Sequence, residues 1–314
     1  FKLPEYIKPD FRGEEFLAAP ELQTVPAPGD GILPDEFYAT TIYPEYFKLG
    51  GAWKLIDAPR MDCAVVIKDG QPVATEARRI KKGDSIVIGR HEDMSNGVFI
   101  DFTAFQERDS QGKVQSFAFR TGKSRESSYS RDYDELYEIL RHDRENGNIV
   151  WVLGPAVAFD YDSRRAMSGL VSNGYVDALF AGNALATHDL EAGIFNTGLG
   201  QDIYTKELRY NGHYHHLEAI NRVKRAGSIE KFIEENPSQN GIVASCIRNN
   251  VPLVLAGSIR DDGPLPSVIG DVYQAQDAMR KHIMQATTVI ALATQLHTIA
   301  TGNMTPSWQM RNGE

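Results

Sequence analysis

Four apolar runs in the second half of the chain constrain the fold more than any other feature. Each run ends at small or polar residues, and the runs span residues 149–153, 176–181, 251–256 and 288–293. Strands that read as continuous apolar runs are buried on both faces, which is typical of a parallel sheet. Helical patterns alternate with these runs, at residues 161–173, 184–195, 214–226, 241–249 and 271–285. The sequence therefore predicts an α/β domain over residues 129–314, with a parallel sheet covered by helices.

The first part of the chain follows different patterns. Residues 1–36 are rich in proline, which predicts an extended arm. Residues 37–128 carry short apolar segments separated by turn signals, such as Asp69-Gly70, and predict a small β domain. Within that range, residues 106–131 are polar and predict a mobile loop. A helix is expected next, at about residues 129–146.

The charge balance excludes some partner classes. The formal net charge is −9, and lysines and arginines are spread thinly along the chain. A nucleic-acid footprint needs a concentrated basic face, so no nucleic-acid partner is expected. The longest apolar run, near residues 287–293, is too short to span a bilayer, so no membrane association is expected. Two isolated cysteines, Cys63 and Cys246, form no disulfide or metal motif, and a cytoplasmic location is expected.

Small and polar residues close each of the four predicted strands. Ligands of open parallel sheets bind at the carboxyl ends of the strands, where small residues allow close approach and helix N-termini bind phosphate. Turns would explain any one of these segments, but four together favour a ligand site. The four segments are Gly154–Ala156, Gly182–Ala184, Gly257–Gly263 and Thr294–Gln295.

The segment after the second strand carries the densest set of catalytic residue types. Asn183 is a candidate helix N-cap, and His188, Asp189 and Glu191 follow within the same predicted helix. Glu191 stands three residues after His188 and shares its helix face. A histidine and a carboxylate that face a cleft can carry out acid–base chemistry. The competing interpretation is a surface helix with solvated charges.

Two further clusters have two interpretations each. His213, His215 and His216 offer imidazoles for a metal, but their spacing matches neither HExxH nor a paired-cysteine site. The pattern therefore favours the binding of substrate carboxylate or phosphate. Arg260 and two adjacent aspartates, Asp261 and Asp262, follow the third strand in a loop rich in glycine and proline. These side chains suit a ribose hydroxyl or a substrate amine, or they simply lock the turn.

Together these segments resemble the archaeal-type ornithine cyclodeaminase family, which also supplies the C-terminal module of bifunctional cyanobacterial arginine dihydrolase/ornithine cyclodeaminases. The upstream segments Pro26–Pro34 and Phe37–Thr41 resemble the β domain named after lysine-oxoglutarate reductase/saccharopine dehydrogenase (LOR/SDH). The similarity covers about residues 25–105 and 148–306. The segments of the α/β domain that carry it are Gly154–Ala156, Ala181–Glu191, Gly212–Arg222, Leu255–Pro266, Asp277–Met279, Ala293–His297 and Gly302–Met304.

The resemblance implies a fold like the NAD-binding domain of deoxyhypusine synthase, and the conversion of L-ornithine to L-proline and ammonia with NAD recycled in place. It also implies a homo-oligomer, expected to be a tetramer. In the family a further strand follows Gly302–Met304, so residues 129–314 are expected to be an incomplete NAD-binding domain. By position in the shared motifs, the expected proton-transfer and carboxylate-binding residues are His188, Asp189, His216 and Arg260. The expected NAD-binding residues are Asn183, Ala184, Asp262, Thr294, Gln295, Leu296 and His297.

Two alternatives to this function stay open at the level of sequence. One is a metal-dependent hydrolase built on His213, His215 and His216, whereas the leading hypothesis expects no metal. The other is a non-catalytic module that binds NAD or an amino acid without turnover. Metal analysis and an ornithine turnover assay would separate the three.

Overall fold

The computed structural model describes residues 6–104, 130–261, 263–306 and 308–310. The chain forms two compact units. The first unit comprises residues 1–129 together with 303–314, and the second comprises residues 130–302. The loop predicted at residues 106–131 falls almost entirely outside the described residues.

The first unit is built from short antiparallel strands. One sheet has the order β1-β6-β4-β5, and the other has the order β3-β2-β7. A turn at Asp69 and Gly70, both with positive φ, joins β4 to β5, as the turn signal predicts. The elements are α1 (Glu14–Ala18), β1 (Gln23–Pro26), β2 (Glu45–Leu49), β3 (Ala52–Leu55), β4 (Ala64–Lys68), β5 (Gln71–Thr75), β6 (Ser85–Ile88) and β7 (Val98–Ile100).

The proline-rich segment before residue 37 is only partly a separate arm. β1 pairs with β6 in register, with Val25 opposite Ile86, so this part of the segment is a strand of the sheet. Lys48 is buried and its Nζ donates to the carbonyl oxygens of Phe16, Leu17 and Ala19 at the end of α1. A cation at the C-terminus of a helix satisfies carbonyls that have no partner within the helix. These bonds fix α1 against β2.

The second unit is a parallel sheet with helices packed against it. Its sheet has the order β12-β9-β8-β13, and all three pairings are parallel. A short hairpin of two-residue strands follows helix α5. The elements are α2 (Ser130–Asn146), β8 (Ile149–Leu153), α3 (Ala156–Phe159), α4 (Tyr161–Ser172), β9 (Ala178–Gly182), α5 (Asn183–Phe195), β10 (Thr197–Gly198), β11 (Gln201–Asp202), α6 (His215–Ala226), α7 (Ile229–Glu235), α8 (Ile242–Arg248), β12 (Leu253–Ala256), α9 (Val272–Ile283), β13 (Thr288–Leu292) and α10 (Leu296–Met304).

The predicted fold class, a parallel sheet covered by helices and preceded by a small β domain, is confirmed. All five residues of β8 are buried, which is why this central strand reads as an unbroken apolar run. Helix α7 is not among the helices that the sequence predicts. Its N-cap is Ser228, whose hydroxyl accepts from the amide of Lys231.

No helix in the described part of the chain combines the length and the apolar character needed to cross a bilayer.

Candidate active site

The topology of the second unit marks a ligand position before any side chain is considered. In chain order the strands β8, β9, β12 and β13 are first to fourth, so the spatial order is 3-2-1-4. The direction of winding reverses between β8 and β13, and ligands of open α/β sheets bind at the carboxyl ends of strands beside such a reversal. Gly154 follows β8 at this point, and its amide donates to the carbonyl of Leu292 over 2.8 Å. A Cβ at Gly154 would lie 1.8 Å from the carbonyl oxygen of Ala293, so only glycine fits.

A cavity of about 740 Å³ opens at the ends of β8, β9 and β12. This volume is within the range of small-molecule and cofactor sites, which is roughly 300–1,000 Å³. It is lined by Pro155, Phe159, Asn183, Ala184, His188, Leu199, Gly212, His213, His216, Leu217, Ser258, Arg260 and Asp261.

Helix α5 contributes Asn183, Ala184 and His188 to the lining of this cavity. Its residues are buried on every side, including His188, Asp189 and Glu191, of which the two carboxylates have no exposed surface. The solvated surface helix that the sequence left open is therefore excluded. Buried ionisable groups are costly unless they are paired and hydrogen-bonded. The hydrogen bonds of these three side chains therefore indicate their roles.

Glu191 makes more hydrogen bonds than the other side chains described for the site. Its Oε1 accepts from the Thr197 hydroxyl and the Gly200 amide, both over 3.0 Å. Its Oε2 accepts from the Leu199 amide over 3.2 Å and lies 3.2 Å from Nδ1 of His188. Burial raises the pKa of Glu191, but the hydrogen bonds from His188, Gly200 and Thr197 outweigh it and lower the pKa below its usual value. Backbone amides donate to both oxygens of Glu191, so the site stabilises the ionised carboxylate, which only accepts hydrogen bonds.

The ionised carboxylate determines the tautomer of His188. Because Glu191 can only accept, Nδ1 of His188 carries the proton and donates it. The neutral ring then has its lone pair on Nε2. The ring packs against Phe159 at 4.5 Å and against His216 at 4.8 Å between centroids. His188 thus lines the cavity as an oriented base.

The two adjacent histidines of α6 point to different partners. Nδ1 of His215 lies 2.8 Å from the Thr197 hydroxyl, and its ring stacks on Phe195. Since Thr197 donates its single proton to Glu191, His215 donates to Thr197 and extends the chain of hydrogen bonds. His216 faces the cavity, with Nδ1 3.9 Å from Glu191.

The metal cluster left open as an alternative for His213, His215 and His216 is not formed. Among the described residues, the group with metal-ligating geometry consists of His188, Glu191 and His216. Successive residues of a helix are rotated by about 100°, so His215 and His216 cannot both face one point. His213 precedes them in a 3-10 turn and packs on Tyr214. A hydrolase built on those three histidines is therefore not supported.

Asp189 lies in the same helix but is absent from the lining of the cavity. Its Oδ1 accepts from Nε of Arg164 over 2.7 Å and from the Ile242 amide over 3.0 Å. Its Oδ2 accepts from the Val243 amide over 2.8 Å. These amides begin helix α8, so Asp189 joins α4, α5 and α8 as a structural anchor. The geometry does not suit the proton transfer predicted for it.

Asn183 begins α5 but is not its N-cap, because that position is Gly182 and no side chain caps the helix. The Asn183 Oδ1 instead accepts from the amide of Leu265 over 2.9 Å and from the Thr187 hydroxyl. Asn183 thereby holds the loop that follows β12 against the start of α5. The uncapped amides at this helix end stay available to an anionic ligand.

The loop after β12 presents Arg260 to the cavity. Arg260 is exposed, whereas Asp261 folds back and accepts from the Ser258 amide over 2.7 Å and from its hydroxyl over 3.2 Å. The turn lock considered for this loop is thus formed by Asp261 with Ser258 rather than with an arginine. The predicted cofactor residue Asp262 lies outside the described residues.

The predicted cofactor residues Thr294, Gln295, Leu296 and His297 follow β13, across the reversal from β9. Helix α10 nevertheless brings His297 towards the end of β9. The distance shows this: a Cβ at Gly182 would lie 3.9 Å from Cε1 of His297. Burial lowers the pKa of His297. The second and fourth strand ends therefore meet near Gly182, where Asn183 and Ala184 begin α5.

Sequence reasoning missed several residues that the structure brings to the site. Phe159, Leu199 and Leu217 are apolar and carried no chemical signal, yet they line the cavity. Thr197 carried none either, because its role depends on the distant His215. The three-residue spacing of His188 and Glu191 was the sequence signal that identified Glu191 as the carboxylate partner of His188.

The winding of the sheet, with a cavity at the carboxyl ends of its strands, is characteristic of Rossmann-fold enzymes that use nucleotide cofactors. Family models agree. Residues 134–311 match the Rossmann-fold C-terminal region of ArgZ-like arginine dihydrolases, and residues 44–131 match the first C-terminal region.

Individual relatives point to the same family. An ornithine cyclodeaminase of Methanopyrus kandleri is 42% identical over 92% of this chain and 68% of its own length. That of Methanocaldococcus jannaschii is 41% identical over 94% of this chain and 70% of its own. A putative LOR/SDH protein of Methanococcus maripaludis superimposes with a TM-score of 0.82 at 38% identity, over 92% of this chain and 85% of that one. The chain belongs to the ArgZ-like C-terminal family, which includes the archaeal ornithine cyclodeaminases.

Proposed function

We propose that this chain converts L-ornithine to L-proline and ammonia, with NAD as a hydride carrier that is regenerated in each turnover. The observation that carries the proposal is His188, which lines a cavity at the strand ends of a Rossmann-type sheet and is oriented by the buried Glu191. The relatives supply the substrate and the cofactor. Five archaeal relatives are named ornithine cyclodeaminase. A solved structure of the cyanobacterial protein AgrE, 31% identical with a TM-score of 0.53, is described as its ternary complex with ornithine and NAD⁺.

The strand ends fit a dinucleotide. The first amides of α5 have no side-chain cap, and Gly182 directly before them carries no side chain, so phosphate can approach closely. We assign cofactor binding to the segment from Asn183 to Ala184 and to the segment from Thr294 to His297. Asn183 contributes by holding the Leu265 loop, since its carbonyl oxygen is already used. A bound NAD would supply hydride-transfer chemistry at the amine-bearing carbon of the substrate, and these two segments would hold it.

His188 is the proposed base. Nε2 accepts a proton from the substrate amine, and Glu191 stabilises the imidazolium that results, because the two groups share a hydrogen bond in a buried site. His216 packs on the same ring and extends the proton path towards the open side of the cavity, where about a quarter of its side chain is exposed. The Thr197–His215 pair holds Glu191 in place.

The remaining cavity residues position the substrate. The exposed guanidinium of Arg260 suits the α-carboxylate of an amino acid, which it can bind through two parallel hydrogen bonds. Phe159, Leu199 and Leu217 offer an apolar wall to the methylene chain and limit the access of water. Ring closure expels one of the two substrate nitrogens as ammonia, and the proton that it needs is the one that His188 accepted.

A turnover assay tests the proposal directly. The full-length protein is incubated with L-ornithine and NAD, and proline and ammonia are measured. His188→Gln is expected to lower kcat by about 100-fold or more, the usual contribution of a general base. His91→Gln, an exposed histidine of the first unit, is the matched control and should leave kcat unchanged.

The outcomes separate the competing functions. Absence of proline with the wild-type protein, or a kcat for His188→Gln within about threefold of wild type, contradicts the proposal. Binding of NAD and ornithine without turnover would instead identify a non-catalytic binding module. The homo-oligomer and the cytoplasmic location stay predictions, which light scattering and cell fractionation test.

A further inference from the structure

Three ligand atoms converge at the wall of the cavity, where Glu191 lies behind the lining residues His188 and His216, in a way that the proposed reaction does not require. One ligand atom each from His188, Glu191 and His216 lies within 4.8 Å of the others. The Nδ1 atoms of the two histidines are 3.2 Å and 3.9 Å from the same oxygen, Oε2 of Glu191. Zinc–ligand bonds of about 2.0–2.1 Å in tetrahedral geometry place ligand atoms about 3.3 Å apart. The two observed distances to Oε2, 3.2 Å and 3.9 Å, lie on either side of this value.

The surroundings of the three residues match those of a metal site with an open position. Two imidazoles and one carboxylate are a donor set that suits zinc and similar divalent transition ions. Glu191 is held through Oε1 by Thr197 and Gly200, as ligating carboxylates are held by outer hydrogen bonds. His188 and His216 line the cavity, so an ion can enter and keep a fourth position for water.

We propose that His188, Glu191 and His216 form a reversible binding site for a divalent zinc-type ion, and that the bound ion inhibits the enzyme. Coordination through Nδ1 of His188 needs the lone pair at that atom, so the ring proton moves from Nδ1 to Nε2. No proton leaves the neutral ring, but Nε2 can no longer accept one. The ion therefore blocks the base without entering the reaction. The inhibition rests on the proposed function, whereas the binding of the ion does not.

Binding is tested on the full-length protein after removal of metals with a chelator. Zn²⁺ is titrated by calorimetry, and Co²⁺ is titrated by its visible absorption, which reports tetrahedral coordination. One ion per chain is expected. His216→Gln should weaken Zn²⁺ binding by roughly tenfold or more, because even outer-shell changes cost about 10–100-fold. His216 is partly exposed, so this variant should fold. His213→Gln, an exposed histidine of the same cavity, is the matched control and should bind as wild type does.

Inhibition is tested separately from binding. Zn²⁺ at saturating concentration should abolish ornithine turnover, and a chelator should restore it. Equal Zn²⁺ binding by the His216→Gln and His213→Gln variants, or no binding by the wild type, overturns the site. Full turnover with the site saturated overturns the inhibition alone. A chain that binds Zn²⁺ at this site without ever turning over ornithine refutes the proposed function and leaves the metal site standing.

Discussion

The Asp189 carboxylate offers the sharpest test of the structure, because sequence and structure assign it different roles. Asp189 has no exposed surface and accepts three side-chain hydrogen bonds, one from the buried guanidinium of Arg164 and two from the amides that begin α8. In Asp189→Asn, one carboxylate oxygen becomes an amide nitrogen that faces a donor. The guanidinium then stays buried without its counter-charge. The substitution is therefore expected to destabilise the second unit.

The magnitude follows from the burial of both partners. Removal of one member of a buried ion pair costs about 3–5 kcal/mol. With a urea dependence of about 2 kcal/mol per molar, the unfolding midpoint should fall by roughly 1.5–2.5 M. In the double variant Asp189→Asn/Arg164→Met no buried charge is left unpaired, so its loss should be smaller than the sum of the two single losses.

The assay is urea unfolding followed by far-UV circular dichroism, which reports the second unit because most helices lie there. Asp162→Asn, an exposed change in the first turn of α4, is the control and should cost only a few tenths of a kcal/mol. Equal midpoints for the two variants would refute the anchoring role. Where Asp189→Asn remains folded, kcat should stay near wild type; a 100-fold loss, of the size expected for a general base, would restore the proton-transfer role.

Two further predictions concern backbone packing and pH. Gly154→Ala should destabilise the second unit by about 1–3 kcal/mol, because its Cβ would overlap the Ala293 carbonyl. Gly169→Ala is the control: no atom lies within 4 Å of its new Cβ, so it should stabilise helix α4 by about 0.5–1 kcal/mol. Chemical denaturation measures both changes, and equal shifts in the unfolding midpoint would contradict the close approach at Gly154. Burial raises the pKa of Glu45 to about 7, so the folded chain holds a proton that the unfolded chain releases, and stability should fall as pH rises from about 4.5 to about 7. The free energy of unfolding should fall by at most about 3 kcal/mol. Denaturation at pH 5 and pH 8 measures this fall, and Glu45→Gln should remove it. The same fall in the Glu45→Gln variant would show that another group is responsible.

The sequence by itself determined the four strands of the parallel sheet and most of the helices of the second unit. That information is local, since an apolar run or a period of 3.6 residues is visible within a window of a few turns. The spacing of His188 and Glu191 on one helix face was readable for the same reason. The small residues at the strand ends likewise pointed to the correct edge of the sheet, because parallel strands share that edge.

Only the tertiary structure decided which polar residues of this edge act together. Asp189 is the immediate neighbour of His188, yet the helix turns it towards Arg164 and the start of α8. His215 and His216 are adjacent and serve different partners, and Thr197 joins the site through a hairpin. Periodicity shows that a helix has faces, but it does not show what each face meets. Those pairings join residues far apart in the chain and are set by packing of the whole domain, which no short window of sequence contains.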